Sequence, residues 1–405
     1  MPQTSPLLPQ KRPSSSSEKL AHCVSDFVSR LVSRCINDTD EGERFVGYEI
    51  DFLAVGSGEK SGDAIALRFG DLFGSRTNQR VVVVDGGFQE TGEQLVAHIR
   101  KFYQTDQVDL VVSTHPDADH VGGLQVVLET LEVGALWMHR PWLHTRDMAD
   151  LFKGGRVTDQ SVSESLRKSL DAAYDLERVA TRKRIPITEP FVGLKDESAS
   201  LLVVGPTRQF YEDLLQDFRG TPEPKTSGLL AKALRGAEEV VRRIAENWDY
   251  ETLDDTGETS AENNSSAVLL FRRDGHNALL TADAGLPALD QVAGLLEGAG
   301  FNAPAQLNFI QVPHHGSQRN SGPSVLNRLI GPKRQSQDVL KTAFVSVAKD
   351  ADSKHPSKKV TNAFRRRGAA VHATQGVSKR HRHNAPDRDD YEASTPLPFY
   401  AQVED

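Results

Sequence analysis

The stretch that most constrains this chain is Thr114-His115-Pro116-Asp117-Ala118-Asp119-His120-Val121-Gly122-Gly123. It follows an apolar run, Val108, Leu110, Val111 and Val112, with the length and β-branched composition of a buried strand. Four side chains able to bind a metal, His115, Asp117, Asp119 and His120, then fall within six residues. Successive side chains of a strand point to opposite faces, so such a run converges only where the chain curls into a loop around an ion. Pro116 stiffens the loop, and the glycine pair lets the backbone turn tightly before a helix from Leu124 to Leu131. Every further position that must match by accident weighs against an ordinary polar loop. The stretch is a candidate metal site at a strand end.

The same pattern, a strand followed by polar chemistry, returns along the chain. Tyr48 to Val55 and Ala64 to Phe69 read as strands, and Val81 to Val84 as a buried strand ending in the bend Asp85-Gly86-Gly87. Asp85 is either a turn-former or a residue at the edge of the site. Gln94 to Tyr103 reads as a helix, and Val108 to Ser113 as the strand that delivers the metal loop. His139 and His144, beside Trp137 and Trp142, are read as packing or satisfied polar contacts rather than as a substrate mouth. Residues 145–260 read as a mainly helical elaboration, with an amphipathic segment at 147–184, a strand from Ser198 to Val204 and helices from Phe210 to Phe218 and Leu229 to Trp248. Asn263-Asn264-Ser265-Ser266 precede a strand from Ala267 to Phe271. The strand Ala278 to Thr281 ends in Ala282-Asp283-Ala284, and Leu307 to Val312 ends in Pro313-His314-His315-Gly316-Ser317. After a strand from Ala343 to Val347 come Lys354-His355-Pro356-Ser357, a helix from Lys358 to Arg367 and a strand from Ala370 to Ala373.

Composition removes several function classes. No apolar run approaches the length of a bilayer span, and the basic residues near the N-terminus have no apolar core after them, so neither a membrane protein nor a secretory leader is expected. Cys23 and Cys35 are the only cysteines, too few for a disulfide framework and suited to free thiols in a cytoplasmic protein. A net charge of −8 gives no global attraction to nucleic acid. Between residues 353 and 388, however, ten Lys or Arg stand against one acid, Asp387. This run is either a solvated face or a phosphate-contacting patch.

The loop around His115 resembles the signature of the metallo-β-lactamase superfamily, whose usual form is H-x-H-x-D-H. Asp117 in place of the second His, N-N-S-S at 263–266 and H-H-G-S at 314–317 resemble the hydrolase domain of ComEC-type DNA-uptake proteins. Gly62-Asp63-Ala64 and Asp85-Gly86-Gly87 also look like the family's. The resemblance implies an α/β fold, a four-layer αββα sandwich over residues 47–376 with 145–260 as an insertion. Residues 1–46, a Pro- and Ser-rich tail and a helix from Glu18 to Ile36, precede it, and 377–405 follow as a C-terminal tail. It further implies two divalent metal ions, zinc or manganese. His115 and Asp117 with Asp283 would hold one, and Asp119, His120 and His355 with the same Asp283 the other. Ala282 stands where the family usually has Gly, and the third-motif His is absent; Asn263, Asn264 and Ser266 are there instead, able to hydrogen-bond a substrate oxygen. Asp119 and one of the neighbours His314 and His315 are candidate catalytic groups, and which His binds metal or acts on substrate is open.

Paired metals lower the pKa of a shared water to near neutrality. Asp117 makes the first half-site harder, which shifts preference from zinc toward manganese or magnesium. Such a site suits phosphodiesters. The leading expectation is a metal-dependent phosphodiesterase, above all a nuclease on DNA or RNA. The alternative is a hydrolase of a small ester, thioester, lactone or lactam, favoured by the net negative charge and by Trp137 and Trp142 as walls of a closed pocket.

Overall fold

Val81, Val82, Val83 and Val84 are all buried, which a strand permits only if both of its faces are covered. The covering elements define the architecture. The structure, a computed structural model, describes residues 46–56, 58–225, 243–351, 354–389 and 391–404. Cys23, Cys35, the helix expected over Glu18 to Ile36 and most of that expected over Leu229 to Trp248 lie outside the described residues.

The strands are β1 (Gly47–Phe52), β2 (Ala64–Gly70), β3 (Gln79–Gly86), β4 (Gln107–Val108), β5 (Leu110–Ser113), β6 (Glu132–Val133), β7 (Leu136–Met138) and β8 (Ile187–Thr188). They continue as β9 (Leu201–Gly205), β10 (Arg243–Ala245), β11 (Val268–Arg273), β12 (His276–Leu280), β13 (Phe309–Gln311), β14 (Lys341–Val345), β15 (Ala369–Ala373), β16 (Lys379–His383) and β17 (Gln402–Glu404). One sheet has the order β16-β1-β2-β3-β5-β7-β8, antiparallel as far as β3 and parallel beyond it. The other runs β15-β14-β13-β12-β11-β9, with only the β12-β11-β9 side antiparallel.

Side chains alternate across each strand, and here the alternation separates two cores. Val82 and Val84 face the second sheet, packing with Phe52, Phe69, Phe271, Phe309 and Phe344. Val81 and Val83 face helices and share a core with Leu124, Val127 and Leu128 of the helix Ala118–Thr130 and with Leu95 of Gln89–His98. The outer face of the second sheet buries Leu289, Val292 and Leu296 of the helix Leu286–Gly298, and Val360 and Phe364 of Lys358–Arg366. The layers are therefore helix, sheet, sheet, helix, the mixed α/β sandwich that the sequence implies. No helix among the described residues is long and apolar enough to cross a membrane.

Several segments serve differently from their sequence reading. The 145–260 elaboration does contribute the helices Asp159–Ser169 and Asp171–Lys183, but its β8 extends the first sheet and its β9 closes an edge of the second. Trp137 lies between the sheets and Trp142 in the outer core, so neither walls a pocket. His139 is buried, stacked on Tyr211 with ring centroids 4.4 Å apart, and His144 sits between Glu189 and Glu212. The stretch read as a C-terminal tail supplies β16, the edge strand paired with β1.

The basic run accounts for that pairing. Glu49 and Asp51 of β1 are buried carboxylates. Glu49 pairs with Arg68, Arg380 and Arg388, and Arg388 NH1 also meets Asp51 Oδ1 at 2.9 Å. Farther along, the fully buried Arg366 pairs with Glu246 at 2.9 Å, and Arg367 with Glu251 at 2.7 Å. Four of the ten cations thus hold the fold together from inside, and Arg382 pairs with Asp387. These five cations are taken up by acids of the fold.

Burial alone would raise the Asp51 carboxyl, but His98 and the Arg388 guanidinium outweigh it and hold the group at about 2. A carboxylate with a depressed pKa contributes stability that is complete above its unfolded value and is lost as pH falls through the folded one. Replacing Arg388→Ala leaves buried charge uncompensated and should destabilise the protein by about 3–5 kcal/mol at neutral pH. Acid unfolding should also begin at a higher pH than in the parent. Urea melts at several pH values check both, and superimposable curves would show that this pair does not hold the edge strand.

Candidate metal centre

The site lies where β3, β5, β12 and β13 end, the carboxyl side of the parallel strands of both sheets. Each strand exit carries one piece: Asp85 from β3, His115 to His120 after β5, Asp283 after β12, and His314 and His315 after β13.

The metal loop is shorter than its sequence suggests. The helix begins at Ala118 rather than Leu124, so Asp119 and His120 lie in its first turn and Asp117 is its cap residue. Gly122 and Gly123 do not make a turn. They sit inside the helix, where any side chain on Gly123 would run into the carbonyl of Gly86. Glycine there lets the helix lie directly on the exit of β3, which brings His120 up to Asp85.

Asp85 is a positioning residue. Its carboxylate accepts from the Thr114 backbone N–H at 2.8 Å and from Thr114 Oγ1 at 2.7 Å, and it lies 2.8 Å from His120 Nδ1. A proton on Nδ1 bonded to Asp85 leaves the His120 Nε2 lone pair free. The same device recurs twice. His315 Nδ1 lies 3.0 Å from the Ser346 carbonyl, and His314 Nδ1 lies 2.8 Å from Asn320 Oδ1, each turning its Nε2 toward the carboxylates. Asn320 Nδ2 in turn donates to the Asp283 carbonyl at 2.7 Å.

The Nε2 atoms converge on Asp283. His120 Nε2 is 3.4 Å from Asp283 Oδ1, while His314 Nε2 and His115 Nε2 are 3.5 and 3.9 Å from Oδ2. His115 Nε2 is 3.7 Å from Asp117 Oδ2, and His315 Nε2 is 3.8 Å from Asp119 Oδ2. Two atoms each about 2.0–2.2 Å from one ion stand roughly 3–4 Å apart, so these spacings suit shared cations. Among the described residues, His115, His120 and His315 Nε2 and one oxygen each of Asp63 and Asp283 are buried without a hydrogen-bond partner. Unpaired polar atoms in a dry interior are costly, and a divalent metal satisfies such a donor set. The residues fit a metal centre.

Asp63 and His315 join the residues that the sequence had grouped as ligands. Among the described residues, Asp119, His120 and His315 bring their ligand atoms together, and so do Asp63, His120 and Asp283; no such group includes His355. His355 lies beside them instead: the next residue, Pro356, packs on Gly316, and the Ser357 N–H donates to the Gly316 carbonyl at 3.0 Å. His115, Asp117 and Asp283 do come together, with His314 added. Asn263 reaches His314, its Nδ2 3.2 Å from Nδ1, whereas Asn264 and Ser266 are buried beneath the loop. Three residues were not readable from sequence as parts of the site. Gln311 Nε2 donates to Asp63 Oδ2 at 3.0 Å and its Oε1 accepts from the Thr281 and Ala282 backbone, tying the two sheets together. Asn320 orients His314, and Arg219 NH1 stands 2.6 Å from Asp117 Oδ1. No local motif marks these: Gln311 and Arg219 act from segments remote in sequence, and Asn320 stands six residues past His314.

The charges are mutually adjusted. Burial and the neighbouring His120 lower His115 to about 4, whereas His315, which burial would lower, is raised to about 9 by Asp283, Asp119 and Asp63. His120 is likewise raised against its burial by Asp283 and Asp85. Burial pushes the Asp63 carboxyl up, while the surrounding imidazoles hold Asp283 well below the ordinary carboxylate range despite its burial. Backbone strain concentrates here too: Asp85, Ala282, His314 and His315 have φ of 56°, 46°, 46° and 53°. Left-handed backbone costs a non-glycine residue about 1–2 kcal/mol and is maintained by the packing around it.

Residues 75–159 match the family model described as Metallo-beta-lactamase superfamily. The match takes in β3 to β7 and with them Asp85, His115, Asp117, Asp119 and His120. The segment 75–159 is thus similar to the metallo-β-lactamase superfamily, whose members are typically metal-dependent hydrolases. A solved structure titled "Crystal Structure of Metallo Beta Lactamase from Hirschia baltica" is 13% identical, over 73% of this chain and 97% of that one, with a TM-score of 0.29. A likeness that low carries no argument. No curated protein matches the chain.

Two expectations follow from the geometry. His315→Ala should lower the metal content of purified protein measured by elemental analysis, and His355→Ala should leave it unchanged; the reverse result would restore His355 as the ligand. Ala282→Gly relieves a positive φ and should raise stability by about 1 kcal/mol in thermal melts, with metal content retained; a fall would mean that the Ala282 methyl packs usefully.

Proposed function

We propose that this protein is a metal-dependent phosphodiesterase, with DNA or RNA as its leading substrate class and two divalent cations, zinc or manganese, as its cofactors. The observation that carries the proposal is the convergence of carboxylates and imidazoles on Asp283 with a cation, Arg219, at its rim. The carboxylates Asp63, Asp117, Asp119 and Asp283 make the donor set rich in oxygen, which suits hard cations and phosphoryl oxygens. Arg219 is about half exposed, and its backbone is fixed by the Glu262 carboxylate, which accepts from its N–H at 2.6 Å. A guanidinium held there can leave Asp117 for a non-bridging oxygen of a bound phosphodiester.

Bound divalent cations would supply Lewis acidity and a water of near-neutral pKa. The chain's residues supply the rest. Asp85, Ser346 and Asn320 hold three imidazoles in the tautomer that presents Nε2. Asp119, about a third exposed with its Oδ2 3.8 Å from His315 Nε2, would take the proton from the attacking water. Asn263 acts through His314 rather than on the substrate directly. The nuclease form draws on the resemblance to ComEC-type hydrolase domains, since the basic run at 353–388 holds the fold together instead. The rival reading, a small-ester hydrolase, loses the two tryptophans that favoured it.

The test is a panel of single- and double-stranded DNA, RNA, bis(p-nitrophenyl) phosphate and p-nitrophenyl acetate, each with manganese, magnesium or zinc. Phosphodiester cleavage should appear and should fall about 100-fold or more in Asp119→Asn. Arg219→Met should raise KM for the phosphodiester while leaving metal content intact. Hydrolysis of the acetate alone would overturn the proposal in favour of the ester hydrolase.

A further inference from the structure

The two halves of the centre are not charged alike. Asp63 and His120 meet Asp283 in its buried floor. The outer set is His115, Asp117 and His314 around the same Asp283, and here Asp117 and His314 are partly exposed. Among the described residues, the ion pairs of Asp63, Asp119 and Asp283 are with imidazoles, whereas Asp117 also meets a permanent cation. Arg219 NH1 stands 2.6 Å from Asp117 Oδ1. Imidazoles bind metals in their neutral form, so the one negative charge that the outer set does not share is that of Asp117. Arg219 cancels it.

This pair is built into the fold at both ends. Asp117 is the cap residue of the helix Ala118–Thr130, yet its side chain makes no capping bond, the ordinary use of an Asp there. The Arg219 backbone N–H donates to the Glu262 carboxylate at 2.6 Å, and its Nε to the Ser169 carbonyl at 3.3 Å. The Gly220 carbonyl accepts from Ser165 Oγ at 2.5 Å. Gly220 itself, at a φ of 87°, lies so close to Ser169 that any side chain would collide with it. Exposed ion pairs are ordinarily weak because two mobile side chains must be ordered to form them. Here the backbone of one partner is tied to two helices, and the other partner is a short side chain at the start of a third.

We propose that Arg219 is a built-in counter-charge that weakens cation binding at the outer half of the centre, so that this half exchanges its metal while the inner half retains it. The proposal rests on the reading of the site as a two-cation centre. A divalent ion entering beside Asp117 does so against a guanidinium a few ångströms away, a repulsion large enough at the dielectric of a protein surface to cost about tenfold in affinity or more. A phosphodiester oxygen that draws the guanidinium off Asp117 removes that penalty, and by linkage substrate and outer cation then favour each other.

The experiment is a calorimetric titration of the chelator-stripped full chain with manganese alone. The parent should take up two ions, the second about tenfold or more weaker than the first. Arg219→Met should tighten the weaker step about tenfold and leave the stronger one unchanged. Misfolding does not tighten a site, so a gain in affinity reads the charge directly. Arg219→Lys should return the weaker step toward the parent value, since a single NH1 contact asks for a charge rather than a fork. Two equal steps in the parent, a weaker step that Arg219→Met leaves unchanged or loosens, or a lysine variant that behaves like the methionine one would overturn the proposal. These affinities found as expected in a protein that cleaves no phosphodiester would support it and overturn the substrate reading instead.

Discussion

The carboxylate of Asp85 is the interaction on which the rest of the centre depends. It accepts two donors from Thr114 and faces the ring nitrogen of His120, and it does so from a left-handed backbone that only the surrounding contacts maintain. Fixing Thr114 fixes the start of the loop, and fixing His120 fixes the first turn of the helix that follows. The glycine approach of that helix to β3 is the geometric condition for both. Gln311 performs the corresponding task between the sheets, bonding Asp63 on one side and the β12 exit on the other. Such ties keep the imidazole nitrogens of His115 and His120 within 4.0 Å of the Asp63 and Asp283 oxygens.

What could be read from the sequence follows from range. His115, Asp117, Asp119 and His120 were legible because their chemistry is compressed into six residues, and Val81 to Val84 because a continuous apolar run has few other uses. Asp283 and the His314-His315 pair were legible as strand exits. Which of His314 and His315 binds metal was not, because it turns on how each ring is held, His315 by the Ser346 carbonyl 31 residues away and His314 by Asn320 Oδ1. The helix start was misplaced by the glycine pair, which reads as a turn in isolation and is a packing contact in context. The basic run misled for a related reason. Charge along a sequence says nothing of whether buried acids wait for it, and Glu49, Asp51, Glu246 and Glu251 lie more than 100 residues from their partners.

Strain and unpaired polarity occur together here. The residues at positive φ around the centre are also those that aim ligand atoms or the strand exits bearing them, and the buried atoms without partners cluster at the same place. Away from the centre, both faces of β3 are apolar, Thr158 and Thr207 cap the helices Asp159–Ser169 and Arg208–Leu214, and the buried Glu246 is paired with Arg366. Strained backbone and unpartnered ligand atoms meeting at the same strand exits indicate a site selected for chemistry rather than for stability.

The pairing of β16 with β1 has a consequence for how the molecule is made. Glu49 bonds Arg380 across 331 positions of chain, and the strand between them and solvent is supplied by residues 379–383. On a ribosome, β1, β2 and β3 emerge long before that strand exists. Until it arrives, β1 offers an open edge, and Glu49 has Arg68 of β2 but neither Arg380 nor Arg388 beside it. The first sheet can therefore close only after residues 379–383 have been translated, and until then the nascent chain is exposed to misassociation along β1.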